Sequence, residues 1–176
     1  MELMTTNLNT NLYIQSEAEF NRARLRGFWE TLGSLLTGRS SRLLCFDEVS
    51  QACQSGQRVL PGVQDIALDD IVGSMGRSGD FTRRFAPLTS DQHNKERWRM
   101  IYTLVISGKG FPPIELYKIG EDYFVENGHH RVSVARYLGW KTIHARVTDI
   151  VLPSPANPPA ANGHFRWKKE CLCPQV

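Results

Sequence analysis

The residue types at Gly128, His129, His130 and Arg131 suit the binding of an anion. Glycine allows the backbone to approach a ligand closely, while histidine and arginine donate hydrogen bonds. Arginine also carries a positive charge at every physiological pH. If a helix begins here, the free backbone N–H groups of its first turn add further donors. The run therefore predicts a phosphate site.

The segment around this run predicts a strand, a glycine turn and a helix. Residues 123–125 are aromatic and β-branched, which favours a strand. Asn127 and Gly128 both tolerate a positive φ and indicate a turn. The helix that follows is expected to end at Gly139, because glycine suits the position after a helix C-terminus.

Arg131 occupies an unusual position in this predicted helix. It lies four residues before Ala135 and seven before Leu138, on the apolar side of the helix. A cation is unfavourable on a buried face and at the positive end of the helix dipole, unless an anion is present. The spacing favours an external anion, and an internal ion pair with Glu126 or Glu115 is the alternative.

Other polar residues complete the candidate site. The loop at 75–81 carries Arg77 and Asp80, which either contact a ligand or form a local surface ion pair. Glu126 or Asp80 is expected to hold Mg²⁺ or to act as a base. The candidate catalytic residues are Glu126, His129 and His130, although histidine at such a position is more often structural. The candidate nucleotide-binding residues are Asn127, Gly128, His129, His130, Arg131, Ser133, Arg77 and Asp80.

Composition indicates a globular protein without a membrane partner. The 176 residues carry a net charge of +3, which by itself is too small to indicate nucleic acid. No apolar run reaches the ~18 residues that a membrane helix needs, and no signal-peptide pattern opens the chain. We therefore expect a cytoplasmic protein with reduced cysteines. His164, Cys171 and Cys173 lack the usual zinc spacing, so no metal site is predicted.

The pattern divides the chain into successive parts. Residues 1–15 are polar and expected to be flexible, 16–62 form a helical extension, 63–150 the main domain and 151–176 a Pro-rich tail. In the extension, a helix begins with Ser16 as its N-cap and ends near Thr37. Its apolar residues recur at helical spacing from Phe20 to Leu36, and a second helix covers 46–54.

The main domain is predicted to have an α/β (α+β) fold, in which helices pack on a small mixed sheet. The predicted strands cover 64–68, 114–119, 123–125 and 142–147, with a turn at 69–74 and the longest helix at 90–107. The strands at 114–119 and 123–125 are expected to form an antiparallel hairpin.

Two segments resemble the ParB/sulfiredoxin fold family, and in particular the N-terminal domain of ParB: Phe111-Pro112-Pro113-Ile114-Glu115-Leu116 and Gly128-His129-His130-Arg131-Val132-Ser133-Val134-Ala135. The family has a strand that begins with proline, a hairpin and a G-x-x-R-x-x-A motif between strand and helix. Here one extra residue separates the arginine from the alanine. The resemblance covers roughly residues 64–150 and matches Arg77 to an arginine in the loop after the family's first strand.

The resemblance implies a nucleotide phosphate held at Gly128 to Arg131, from ATP or CTP with Mg²⁺. ParB proteins bind and hydrolyse CTP there, sulfiredoxins bind ATP there, and some free-serine kinases of this fold use the same place. An NTPase or a small-molecule phosphotransferase is therefore implied, and the catalytic carboxylate that the kinase relatives need would be Glu126, Glu115 or Asp80. The motif contains no cysteine, which argues against sulfiredoxin activity. The Pro-rich tail stands where ParB continues into DNA-binding and dimerisation domains, so a role in chromosome segregation is not expected.

Two other functions stay open. A non-enzymatic nucleic-acid-binding or regulatory module would use basic residues on phosphates, namely Arg83, Arg84, Arg97, Arg99, Arg166, Lys168 and Lys169. The second open function is that of a structural or partner-binding protein that has kept the fold and lost the ligand. A nucleotide or another phosphate ligand is the expected partner, while nucleic acid and a second copy of the chain remain open as partners.

Overall fold

The computed structural model describes residues 2–38, 40–46 and 57–151 of the chain. Its helices are α1 (Glu2–Thr37), α2 (Gln92–Ile106) and α3 (His129–Tyr137). Its strands are β1 (Leu44–Cys45), β2 (Gln57–Ala67), β3 (Ile71–Ser74), β4 (Ile114–Ile119), β5 (Asp122–Asn127) and β6 (Thr142–Val151). None of the described helices is both long enough and apolar enough to cross a membrane.

The strands form one mixed sheet in the order β1-β3-β5-β4-β6-β2. Parallel pairs join β1 to β3, β3 to β5 and β4 to β6, whereas β4–β5 and β6–β2 are antiparallel. This architecture confirms the predicted α/β fold with a small mixed sheet and packed helices. The predicted hairpin between β4 and β5 is also confirmed, with Tyr117 opposite Phe124.

Alternating residues of the central strands form separate clusters on the two faces of the sheet. Val125 on β5 packs with Val132 and Ala135 of α3, so α3 covers this face. The neighbouring Phe124 packs with Tyr117 on the opposite face. A side chain on β5 can therefore reach the start of α3 only if it shares the face of Val125.

The helices add a third apolar cluster that fixes α1 and α2 beside α3. Phe20 of α1, Trp98 of α2 and Val134 of α3 are almost completely buried in it. The Trp98 indole also donates a hydrogen bond to Ser133 Oγ on α3, at 3.0 Å. The extension predicted at 16–62 is thus packed against the main domain rather than separate from it.

Several predicted boundaries are wrong. Helix α1 begins at Glu2 and not at Ser16, whose hydroxyl instead donates to the Tyr13 carbonyl at 2.7 Å. Strand β2 begins at Gln57, so the boundary predicted between residues 62 and 63 divides a strand. The predicted turn at 69–74 contains strand β3. Gly73 looks like a turn residue, but it lies in this strand because a Cβ there would collide with the Phe124 ring.

Some predictions fall outside the described residues. The helix expected at 46–54 is described only at Phe46. The tail expected at 151–176 is described only at Val151, which ends β6. The possible zinc ligands His164, Cys171 and Cys173, and the basic Arg166, Lys168 and Lys169, also lie outside. Among the residues that the structure describes, no cluster of His, Cys, Asp or Glu could hold a metal ion.

Candidate functional site

The turn between β5 and α3 requires glycine at position 128. Gly128 has φ 117°, a left-handed conformation that side chains disfavour. A Cβ at this position would also lie 2.5 Å from Ile114 Cγ2, which is closer than packed atoms approach. The glycine therefore lets the chain turn sharply after β5 and close to β4, and it places the start of α3 at the end of the central strands.

The start of α3 offers backbone N–H groups without a helical partner. The first hydrogen bond within the helix runs from the Val132 N–H to the Gly128 carbonyl, at 3.0 Å. The N–H groups of His129, His130 and Arg131 precede it. Among the described residues, no side chain caps this end. The predicted array of donors is present at the predicted place.

His129 is buried against the end of β3. Its side chain is 5% exposed, and its Nε2 lies 2.7 Å from the hydroxyl oxygen of Ser74, which is fully buried. The imidazole stacks on the Phe81 ring, with 6.2 Å between the ring centres. A hydrogen bond to the backbone of Val125 also holds it. His129 is therefore held in place by hydrogen bonds to Ser74 and to the Val125 backbone and by the Phe81 ring.

His130 joins a polar cluster with Arg77 and Asn94. The Asn94 Oδ1 accepts from Arg77 Nη2 at 2.5 Å and lies 3.1 Å from His130 Nε2. Arg77 also donates through Nε to Asp80 Oδ2, at 2.8 Å. The other imidazole nitrogen, Nδ1, is buried without a hydrogen-bond partner in the described part of the chain. The structure thus brings Arg77, Asp80 and His130 together, and the local Arg77–Asp80 ion pair that was the alternative to ligand contact is formed.

Both histidines are neutral at physiological pH. Burial, and to a smaller extent the nearby positive charge of Arg77, lower the pKa of His129 to about 4 and that of His130 to about 3. Arg131 also disfavours a proton on His129. Burial is the main cause of both shifts, and the arginine charges add to it, while Asp80 and Asp91 partly offset them.

Arg131 is held by neutral acceptors. Its Nη1 donates to the carbonyl oxygens of Pro112 and Pro113, at 2.9 and 2.8 Å, and its Nη2 lies 3.3 Å from Asn127 Oδ1. Within the described residues, no carboxylate lies within ion-pair distance of it. Glu115 contributes only a longer-range attraction that opposes the lowering of the Arg131 pKa by burial. The internal ion pair considered as the alternative is therefore not formed.

Glu126 and Ser133 lie away from this cluster. Glu126 shares the face of Phe124 and accepts a hydrogen bond from the Tyr117 hydroxyl at 3.1 Å, so the sheet separates it from α3. The Ser133 hydroxyl is engaged by Trp98. The geometry does not support the predicted catalytic role of Glu126. It also does not support the predicted contact between Ser133 and a ligand.

Sequence reasoning missed Ser74 and Asn94. Ser74 was placed in a turn, although it ends a buried strand and faces the same side as its partner Val125. Asn94 lies in the first turn of α2, where the Asp91 carboxylate caps its N–H at 3.0 Å. An Asp followed three residues later by a polar residue indicates such a helix start, but nothing local indicates that Asn94 meets residues 77 and 130.

Arg99 is not available to nucleic acid. Its side chain is 3% exposed and lies 3.3 Å from Glu96 as an ion pair, and it donates to Ser16 Oγ and the Tyr13 carbonyl. It belongs to the contact between α1 and α2. Arg83, Arg84 and Arg97 are exposed, as a nucleic-acid surface would require.

A cavity of about 360 Å³ lies at the opposite end of α3, between that helix, α1 and the loop at 84–87. Its charged lining residues are Arg26, Glu30, Asp69, Arg84, Arg136 and Lys141. Arg136 is already bound there by the carbonyl of Ile71 at 3.3 Å and by Asp69 at 3.6 Å. Arg136 thus has a carboxylate partner, whereas Arg131 is held by neutral acceptors alone, and this difference favours the start of α3 as the anion site.

Comparisons with known proteins add little to this geometry. No family model matches the chain, and no curated protein matches it. A solved structure, sulfiredoxin from Arabidopsis thaliana, is similar over 49% of this chain and 84% of that chain, with 19% sequence identity and a TM-score of 0.35. A likeness this distant carries no argument about individual residues, so their roles depend on the contacts described above.

Proposed function

We propose that this chain is a nucleotide-binding protein of the ParB/sulfiredoxin family that holds a phosphate at the start of α3. The donors are the backbone N–H groups of residues 129–131 and the guanidinium of Arg131. Arg77 contributes positive charge from the neighbouring loop. The observation that carries this proposal is Arg131 itself, a half-buried cation at the positive end of a helix dipole whose contacts are all neutral.

The helix start and the guanidinium are complementary to one anion. Phosphate oxygens accept several hydrogen bonds at once, and bonds to a charged donor are roughly twice as strong as neutral ones. Arg131 uses Nη1 on two carbonyls, while its Nη2 has only the long contact to Asn127. Nη2 is therefore the group that would turn to a phosphate, with little change in the rest of the side chain.

The geometry supports binding better than catalysis. A general base must lie within hydrogen-bond reach of its proton, and Glu126 is on the other side of the sheet. Two carboxylates contact the cluster: Asp91 is bound by Asn94, and Asp80 is already paired with Arg77 at 2.8 Å. Hydrolysis or phosphoryl transfer would require this pair to separate. We therefore propose phosphate binding as the function. Mg²⁺ would be coordinated by the phosphate oxygens of the nucleotide and would enter with it.

The test is titration of the full chain with ATP, CTP, GTP and ADP, each with Mg²⁺, by calorimetry. We expect at least one nucleotide to bind, and Arg131→Ala to weaken that binding by about 10- to 100-fold, the range for a lost charge-assisted hydrogen bond. The nucleotide affinity of Arg131→Lys should lie between those of the wild type and Arg131→Ala, because lysine keeps the positive charge but lacks the planar guanidinium.

The matched control is Arg146→Ala, which removes an exposed arginine from β6. It should bind like the wild type. Because Arg131 also holds the Pro112–Pro113 segment, melting temperatures without nucleotide must be compared for all variants. Equal binding by Arg131→Ala and the wild type would exclude this site.

A further inference from the structure

One face of α1 exposes a continuous row of large apolar side chains. We call it the outer face of α1; its members are Leu25, Phe28, Trp29, Leu32, Leu35 and Leu36. Trp29 is 60% exposed, Leu35 76% and Leu36 85%. Soluble proteins expose single apolar residues commonly, but rarely several in one row.

The outer face points away from the rest of the protein. Residues Phe20, Ala23 and Gly27 form the opposite side of α1 and are buried. Gly27 lies so close to the loop before α2 that a Cβ on it would be 3.0 Å from the Pro87 carbonyl oxygen. At 100° per residue, these residues lie about 120–180° from the centre of the outer face. Within the described residues, the rest of the protein therefore packs on the side of α1 away from the outer face.

The spacing on the outer face is that of a helix that packs against another helix. Its residues repeat at intervals of three and four, which is the a/d pattern of a helix pair. Leucine side chains flank the aromatic pair Phe28 and Trp29, whose rings meet edge to face at 5.6 Å. One helix from a partner would cover the whole row.

The area is large enough for a stable pair. A large apolar or aromatic side chain presents on the order of 150–250 Å². With the exposures above, the outer face amounts to roughly 600–800 Å² in each copy. Two such faces in contact would bury about 1,200–1,600 Å², which is the size of an ordinary specific interface.

The charges along α1 indicate what the partner is. The last turn of α1 has no basic residue to offset the negative end of its dipole. Arg22 lies one turn before the outer face, where it is exposed and forms an i,i+3 ion pair with Glu19 at 2.5 Å. An antiparallel second copy would place its Arg22 beside the carbonyl end of the first helix, and the reverse. A parallel pair would instead bring like charges together.

We propose that two copies of this chain associate through the outer face of α1, with the two helices antiparallel. The contact is symmetric, so the same row of side chains serves both copies. The start of α3 lies on a different element, and phosphate binding does not depend on this contact.

Analytical ultracentrifugation of the full chain over a wide range of concentrations tests the proposal. We expect a reversible dimer, and we expect Leu32→Glu and Leu35→Glu to weaken it at least about 100-fold, because each would bury unpaired charge. Met100→Glu, at a residue 59% exposed on α2, is the matched control and should leave the dimer intact. Circular dichroism should show equal helix content in all three variants.

The orientation has its own test. Arg22→Gln should weaken an antiparallel dimer by about four- to 25-fold, because one charge at a helix end accounts for about two- to fivefold and the symmetric dimer loses two, and it should strengthen a parallel dimer. A wild-type chain that stays monomeric would overturn the proposal, whether or not hydrogen exchange finds the outer face protected. Dimers that survive both glutamate substitutions, or that tighten with Arg22→Gln, would overturn the interface or its orientation, respectively.

Discussion

At the scale of single residues, the turn glycine and the two histidines define the candidate site. The glycine supplies a conformation and a close approach that other residues cannot, while the histidines are neutral groups fixed by Ser74 and Asn94. Neither histidine is charged when a ligand arrives at physiological pH. The positive charge of the site therefore comes from arginine and from the helix.

Replacement of Gly128 by alanine is expected to destabilise the fold strongly. The new Cβ meets Ile114 at 2.5 Å in addition to the strain of φ 117°, so we expect a loss of about 2–4 kcal/mol in the free energy of unfolding. Gly120→Ala is the control, since its φ is 62° and its Cβ would meet nothing within 4 Å. Urea denaturation measures both. Similar losses would show that the contact with Ile114 is unimportant.

The buried histidines make stability depend on pH. In the unfolded chain they protonate near the ordinary pKa of 6.5, but in the folded chain only near 4 and 3. The unfolded state thus binds more protons between these values, and stability should fall as the pH is lowered from 6.5 towards 4. The pair contributes on the order of a few kcal/mol to this change.

Denaturation at a series of pH values measures this slope. His130→Gln should reduce it, because glutamine can still donate to Asn94 Oδ1 but does not titrate. His93→Gln is the control, at an exposed residue of α2. The charged groups around the two histidines are Arg77, Asp80, Asp91, Arg97 and Arg131, and none is altered by either variant. An unchanged slope in His130→Gln would contradict the assignment.

At the scale of elements, short-range patterns predict structure well where one local signal dominates. The alternation at 114–119 and the glycine after Asn127 gave β4 and the start of α3 correctly. The start of α1 was missed because Ser16 is a good N-cap residue, yet here the helix continues through it. Strand β3 was missed because Gly73 indicates a turn, whereas in the fold it makes room for the Phe124 ring on the neighbouring strand. Such long-range contacts have no signature in the local sequence.

The same limit applies to faces of an element. The helical spacing from Phe20 to Leu36 predicted an apolar helix, but Phe20 is buried whereas Leu25 is 56% exposed. Spacing alone does not tell which apolar side packs on the protein. Likewise, Glu126 seemed close to His129 along the chain, and the alternation of β5 places it on the other face of the sheet.

Arg99 is expected to fix α1 on α2. It donates to Ser16 Oγ at 3.1 Å and to the Tyr13 carbonyl at 2.9 Å, and its guanidinium lies 3.6 Å from the Tyr13 ring centre. Arg99→Ala leaves these groups without their partner, so we expect a loss of about 2–4 kcal/mol. Arg97→Ala, two residues away and exposed, should cost less than about 0.5 kcal/mol.

Hydrogen exchange of both variants locates the effect. Faster exchange in Arg99→Ala should be concentrated in the first half of α1, since that half depends on Arg99. Uniformly faster exchange throughout the sheet would mean that Arg99 supports the whole fold and not this one contact.

At the scale of the whole molecule, the net charge is small, and in the described part of the chain some cations are bound internally while others are exposed. The net charge is +3, and cations such as Arg99 and Arg136 are bound by the protein's own acceptors. Arg83, Arg84 and Arg97 remain exposed in the described part of the chain. A surface of this kind attracts a polyanion only weakly, whereas the start of α3 gathers several donors around one point.

Salt dependence separates these two kinds of ligand. Binding of a nucleic acid releases about one counterion for each phosphate contact, so its affinity falls steeply with salt, while a single nucleotide held by neutral N–H groups and one guanidinium loses far less. We expect nucleotide affinity to change by less than about tenfold between ~50 and ~200 mM salt, against ~10³ or more for a protein with many phosphate contacts. The double variant Arg83→Ala/Arg84→Ala should leave nucleotide binding unchanged, because these side chains do not contact the start of α3 in the described structure. A steep salt slope that this variant flattens would instead identify the exposed arginines as the binding surface and nucleic acid as the ligand.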